Sequence, residues 1–230
     1  MSAVVTALRG NRRSVEEKIR SMCSVVRLGD VDTYRSPAVG VKESRWLKDA
    51  GFTVAQSLVM LQHTGRLPSP DTAAIGVRDV TSRHVLSPKR ADVLHRMLEI
   101  DAESFPSPWN LDTRTFHHAC HATSEHRVIL AEDDASSLPD GYAIVGRVGS
   151  RSYLQRLAVA PEFRRSGVAR ALVHHASRWA DLRGATTMLV NTEPTNTAAL
   201  ALYRSLGFDT LSEPLVVLER AVYPMPGLPA

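Results

Sequence analysis

Cysteine is nearly missing from this 230-residue chain: Cys23 and Cys120 are its only two, far apart in sequence. That excludes a disulfide framework and every paired-cysteine zinc spacing. Aromatic residues are scarce at 6%, which leaves little to stack on bases, and the arginines are scattered rather than gathered in a stripe. No apolar run approaches the roughly 18–20 residues needed to cross a bilayer. Charge of one sign does not dominate either: 28 Lys and Arg against 24 Asp and Glu leave a formal +4. Such a balance admits an anionic ligand without requiring one. The opening MSAVVTALRGNRRSVEEK lacks the charged-then-apolar order of a secretory signal. These absences predict a cytoplasmic protein without a nucleic-acid partner, a membrane partner or a bound metal.

What is present is ordinary for a globular protein: 43% hydrophobic and 23% charged residues, enough for one large domain or one domain with a smaller appendage. The turn formers in His63-Thr-Gly-Arg-Leu-Pro-Ser-Pro-Asp-Thr72 mark a linker. The expected organisation is an N-terminal piece over 1–62, a linker over 63–74, a main domain over 75–222 and a tail over 223–230. In the main domain, periodicity and breakers predict strands over 75–81, 128–131, 141–148, 153–159, 187–190 and 216–218. Helices are expected over 88–104, from about 111 (capped by Asn110 or Asp112), over 168–182, and over 195–206, where Gly207 stops the last one. This order is α+β with a mixed sheet, not a repeated βαβ fold.

One junction asks for more than a turn. Between the strand ending at Val159 and the helix beginning near Val168 stands Pro161-Glu-Phe-Arg-Arg-Ser-Gly-Val-Ala169. A helix N-terminus carries free N–H groups and partial positive charge, so a loop of amides there can cradle a pyrophosphate. Gly167 lets backbone come close to a ligand, Ala169 keeps the first turn small, and Arg164, Arg165 and Arg170 add charge. A capped helix with solvated arginines would use the same residues.

The sequence after the strand, Leu157-Ala-Val-Ala-Pro161 followed by Arg164-Arg-Ser-Gly-Val-Ala169, resembles the acyl-CoA-binding motif of the GNAT superfamily of N-acetyltransferases. Asn196-Thr-Ala-Ala-Leu-Ala-Leu-Tyr-Arg-Ser-Leu-Gly-Phe208 is similar to that family's second signature. The resemblance covers roughly 76–222 and implies the GNAT acyl-CoA N-acyltransferase fold, with acetyl-CoA as donor and a primary amine, on a protein or a small molecule, as acceptor. It further implies that the strand over 153–159 splays from its neighbour and offers main-chain groups of Leu157, Ala158 and Val159 to the pantetheine arm. By the same resemblance Arg164, Arg165, Ser166, Gly167, Val168, Ala169 and Arg170 hold the pyrophosphate. Asn196 would bond the arm, and Tyr203 would reach the thioester sulfur and protonate it.

Ile100 to Trp109 is similar to a segment of the ribosomal-protein alanine N-acetyltransferase branch. The glutamate that serves as base there falls on Asn191 here, and the position used by other branches falls on Tyr153, so Glu193, Glu132 and Glu103 are the remaining carboxylates to consider. A faint repeat pairs Trp46-Leu-Lys-Asp-Ala-Gly-Phe52 with Leu202-Tyr-Arg-Ser-Leu-Gly-Phe208, each followed by an apolar strand. It suggests a degenerate half GNAT domain over 1–62, as in the tandem mycothiol synthase branch, with Leu47 where Tyr203 stands. The missing base and this degenerate piece also leave room for a non-catalytic acyl-CoA-binding module. His117, His118 and His121 lie at helical spacing without an acidic partner and are expected to be surface residues. Cys120 is expected to pack rather than react.

Overall fold

The computed structural model describes residues 12–28, 31–67, 75–132 and 138–222. In chain order it begins with α1 (Arg12–Met22), β1 (Ser24–Leu28), β2 (Val31–Arg35), β3 (Val39–Gly40), α2 (Arg45–Asp49) and β4 (Thr53–Thr64). Next come β5 (Gly76–Val80), α3 (Ser82–Val85), α4 (Ala91–Ser104), α5 (Thr113–Cys120), β6 (Glu125–Glu132), β7 (Pro139–Val148) and β8 (Arg151–Val159). The chain continues with α6 (Val168–Asp181), β9 (Thr187–Thr192), α7 (Thr197–Ser205), β10 (Asp209–Thr210) and β11 (Leu215–Ala221). Among the described residues no helix is long and apolar enough to cross a membrane.

These elements form two compact units. The larger takes described residues from 61 to 191 and from 198 to 210; the smaller takes those up to 60, those from 192 to 197 and those from 211 onward. In the larger unit, β5, β6, β7 and β8 run antiparallel to their neighbours and β8 runs parallel to β9. The mixed sheet expected from the sequence is therefore present. Val128–Ala131 and Gly141–Gly146 are buried residue after residue, as strands covered on both faces must be, which is why they read as continuous apolar runs rather than alternating ones.

Helix α4 buries Val93, Met97 and Ile100, and α5 buries Phe116 and Cys120, in one core with Tyr142 and Ile144 of β7. Their spacings of three and four residues put each set on a single helical stripe. Truncating a fully buried phenylalanine such as Phe116 costs about 3–5 kcal/mol. Asp112, not Asn110, caps α5: its carboxylate accepts from Thr115 N–H at 2.7 Å while Thr115 Oγ1 accepts from Asp112 N–H. These bonds hold the Asp112 carboxyl below its usual range, the Thr115 hydroxyl contributing most.

In the smaller unit, β11 lies between β2 and β4, antiparallel to both, and also pairs with β3. Ile19, Tyr34, Leu47, Phe52 and Leu218 close its core, and Arg35 ion-pairs with Glu219 across the β2–β11 ladder. The sequence grouped 216–218 with the main domain, and the ladder corrects this. Strand partners are set by non-local register, which a short apolar run does not encode. His63 and Thr64, expected to open the linker, are instead the last residues of β4. The rest of that linker over 68–74 and the tail over 223–230 lie outside the described residues.

Candidate functional site

The larger unit's sheet is asymmetric about β8. On one side β8 pairs with β7 from Arg151 to Val159. On the other, among the described residues, it pairs with β9 only through Arg151–Leu154, although β9 runs on past Val190. The parting coincides with a bulge: Leu154 faces Val145 and Arg156 faces Ile144, which leaves Gln155 as the extra residue. A bulge bends its strand and raises the local twist. From Gln155 to Val159 the edge of β8 toward β9 is thus open, and Leu157, Ala158 and Val159 lie on it.

The chain leaves this edge through one tight turn, Pro161–Phe163, and enters the arginine loop. Arg165 adopts φ 66° and Gly167 φ 95°. A left-handed residue flanking the entry to a helix turns successive N–H groups toward a common point, the geometry of an anion nest. Gly167 takes this conformation freely, whereas Arg165 costs of order 1 kcal/mol. Gly167 is the N-cap of α6, so no side chain covers the helix start, and no acidic residue lies in the first turn. The first intrahelical bond accepted by Gly167 comes from Ala171. The amides of Val168, Ala169 and Arg170 accordingly have no acceptor within the helix.

The arginines divide their work. Arg164 is committed to the protein: its guanidinium donates to the carbonyls of Val159 (3.1 Å) and Glu103 (3.2 Å), lacing the loop to the end of α4. Arg170 donates to Ser205 Oγ at 2.8 Å, joining the start of α6 to the end of α7. Arg165 is exposed. Ser166 spends its hydroxyl on Phe163 O at 2.6 Å.

Tyr203, on α7, is 4% exposed and stacks obliquely on Phe208, their rings 5.6 Å apart. Burial pushes its hydroxyl pKa well up, so it keeps its proton at any physiological pH. His63 also packs on Phe208, ring centroids 5.4 Å apart, and hydrogen-bonds the Gly207 carbonyl at 3.0 Å. Asn196 belongs to the smaller unit, in a turn where its N–H donates to Glu193 O at 3.1 Å.

Sequence reasoning missed a buried network beside the open edge. Asp101, fully buried on α4, accepts two bonds from Arg156 of β8, both 2.7 Å, one from Leu111 N–H at 2.6 Å, and one from the Tyr142 hydroxyl. Arg156 also donates to Trp109 O at 2.9 Å and lies 3.4 Å from the Phe105 ring centroid. A buried charge needs such full satisfaction to be tolerated. Its effect is to fasten the α4–α5 segment, from Phe105 to Leu111, onto the open half of β8. Burial, reinforced by Asp101, raises the Tyr142 pKa well above its usual value. Bonds spanning 41 and 55 residues leave no signal in sequence spacing.

The candidate bases are occupied or exposed. Glu132 forms a bidentate pair with Arg78 at 2.6 and 2.8 Å. Glu193 binds Gln56 and Thr195 within the smaller unit, and Glu103 is exposed. Asn191 is exposed, while Tyr153 sits in register between Gly146 and Leu189. Cys120 is fully buried, with its thiol pushed up to about 12 by desolvation, and so packs as expected.

Comparison with known proteins identifies the family. The model of the "Acetyltransferase (GNAT) family" matches residues 94–208, half of the chain. The "[Ribosomal protein bS18]-alanine N-acetyltransferase" of Escherichia coli K12 is 35% identical over 83 residues, covering 36% of this chain and 53% of that protein. An "Aminoglycoside N(6')-acetyltransferase type 1" of Salmonella typhimurium is 35% identical over 57 residues, covering 25% of this chain and 39% of its own length. The chain thus spans about half the length, or less, of these relatives. In fold it is similar to a putative GNAT-family acetyltransferase from Novosphingobium aromaticivorans, with a TM-score of 0.57 at 17% identity, over 90% of this chain and 80% of that one. The open β8 edge, the amide loop at the start of α6 and the family match together place this chain in the GNAT acetyltransferase family.

Proposed function

We propose that the protein is an acetyl-CoA-dependent N-acetyltransferase that moves an acetyl group directly onto a primary amine. The observation that carries this reading is the parting of β8 from β9 after Leu154, with a loop of outward amides at the end of the open edge. An extended pantetheine arm can complete the edge as a further strand, bonding main-chain groups of Leu157, Ala158 and Val159. Its pyrophosphate then meets the amides from Arg165 to Arg170 at the start of α6, where the dipole favours negative charge. Arg165 and Arg170 supply charge there. Arg164 and Ser166 act mainly by shaping the loop, since their bonds run to Val159, Glu103 and Phe163.

In the reaction the amine nitrogen attacks the thioester carbonyl carbon. A backbone N–H of the open strand stabilises the oxyanion. As the C–S bond breaks, the sulfur takes the Tyr203 proton; the nitrogen's surplus proton leaves to water, and water returns a proton to the Tyr203 oxygen. Burial keeps the Tyr203 hydroxyl protonated, so it holds a proton and cannot serve as the base. Among acceptors, the classes named for the relatives, a ribosomal-protein alanine or an aminoglycoside, are the ones to try first, in a cytoplasmic setting. The N-terminal piece over 1–62 is read as a degenerate half GNAT domain without its own catalysis.

A second reading, a non-catalytic acyl-CoA-binding module, is favoured by Asn191 standing where a carboxylate base would serve. Release of free thiol from acetyl-CoA, measured against a panel of amines, separates the two. Acceptor-dependent thiol supports the enzyme. Tight acetyl-CoA binding with no thiol released by any amine supports the module.

A further inference from the structure

The larger unit has a second cavity, of about 920 Å³, which the acetyl-transfer reading does not use. It is lined by the entry to β6, the α3 turn, one face of α5 and the C-terminal end of α6. Trp179 and Arg183 line it, whereas the cofactor loop meets α6 at Val168. At 1.5 Å per residue, Trp179 lies about 16 Å along the helix from that loop. The two sites are separate.

The lining is cationic. Arg83, Arg127 and Arg183 border the cavity, and Glu125 is the lone carboxylate among the described residues that line it. Glu125 is already neutralised by an ion pair with Arg147. Three imidazoles add to the wall: His117 and His121 stack face to face at 4.1 Å, and His121 meets His126 at 4.8 Å. His126 in turn hydrogen-bonds Ser82 Oγ at 2.8 Å. These rings stack instead of converging, and among the described residues no group of three or more His, Cys, Asp or Glu is arranged to hold a metal.

Two donors here lack hydrogen-bond acceptors. The Trp179 indole N–H is buried without one, and Arg127 Nε makes no hydrogen bond, although its guanidinium ion-pairs with Asp79 Oδ2 at 3.3 Å. Arg183 stands over Trp179, its guanidinium 4.6 Å from the ring centroid, and one arm donates to the Trp179 carbonyl at 3.1 Å. That arm offsets the negative end of α6, and the rest of the fork is left for a ligand.

We propose that this cavity binds a small planar organic anion, an aromatic carboxylate or phosphate ester. Arg83, Arg183 and the Trp179 N–H would grip the anionic group, and the His117–His121 stack would flank the ring. Charge-assisted bonds to an anion are the stronger kind of hydrogen bond, and flat rings add stacking surface.

The test is a titration of the full chain with phenyl phosphate, followed through the imidazole resonances of His117, His121 and His126, with inorganic phosphate as the ring-free control. Expected are saturable shifts at those three imidazoles, tighter binding than inorganic phosphate, and at least about a tenfold loss of affinity in Arg83→Ala/Arg183→Ala. Arg83 is exposed and Arg183 half-buried, so a folded double variant is expected, and circular dichroism checks it. Absence of saturable shifts at these imidazoles would overturn the proposal, as would unchanged affinity in the folded double variant. Equal affinity for inorganic phosphate would overturn the planar-ring assignment.

Discussion

Two helix ends in this molecule are built alike and carry different chemistry. At the first, Gly51 takes φ 84°, its N–H donates to Lys48 O at 2.9 Å, and Phe52 N–H reaches back to Leu47 O at 3.0 Å. At the second, Gly207 takes φ 79°, its N–H donates to Arg204 O at 3.0 Å, and Phe208 N–H reaches Tyr203 O at 3.0 Å. Both are Schellman stops, with the phenylalanine returning into its own core. Leu47 and Tyr203 occupy the same place in the motif and both are buried. The stop is therefore a folding device, indifferent to function. The difference is one hydroxyl, together with the arginine loop and the open strand edge that belong to the same unit as Tyr203.

The largest effect expected from breaking this contrast is at the loop. Gly167→Glu puts a side chain at φ 95° and a negative charge where the pyrophosphate would sit. Isothermal titration should show CoA affinity falling by at least about a hundredfold, the loss of two or more charge-assisted bonds. A folded Gly167→Glu protein with unchanged CoA affinity would reduce the loop to a plain helix start.

Next is Tyr203→Phe, which keeps the ring on Phe208 and deletes the hydroxyl. Acid catalysis is worth about 10²–10⁴-fold in general, and a thiolate is already a fair leaving group, so turnover should fall about tenfold to a hundredfold with acetyl-CoA affinity nearly unchanged. Steady-state kinetics at saturating donor and acceptor measure it. Unchanged turnover would refute the proton donor.

The smallest effect sharpens the likeness. Gly51→Ala and Gly207→Ala each force a side chain into the left-handed region, where nothing nearer than 3.5 Å crowds the added Cβ. Each should cost about 1 kcal/mol by chemical denaturation. Only the second should also lower acetyl transfer, since it alone lies within the same turn as Tyr203.

How much of this was legible in sequence follows from what is local. The Gly-Phe stops, the amphipathic stripe of α6 and the Gly167 turn are signalled within a few residues, and they appear where spacing placed them. Three things were not legible. Nothing in an arginine announces the left-handed φ of Arg165, which its surroundings impose. The Asp101–Arg156–Tyr142 network joins α4, β7 and β8 through contacts distant in the chain. The membership of β11 in the smaller unit is a matter of ladder register, and residues 216–218 look the same on either assignment. The second cavity was hidden for the same reason: His117 and His121 show a helical spacing, but His126, Trp179 and Arg183 reach them only through the fold.

The central claim, that the open β8 edge and the amide loop hold acetyl-CoA, is tested most directly by thermal unfolding with and without CoA. A ligand that binds only the folded chain at a hundred times its Kd adds about 2.7 kcal/mol. For a chain of this size that should raise Tm by about 5–10 °C. A Tm that stays unchanged at millimolar CoA would contradict the account.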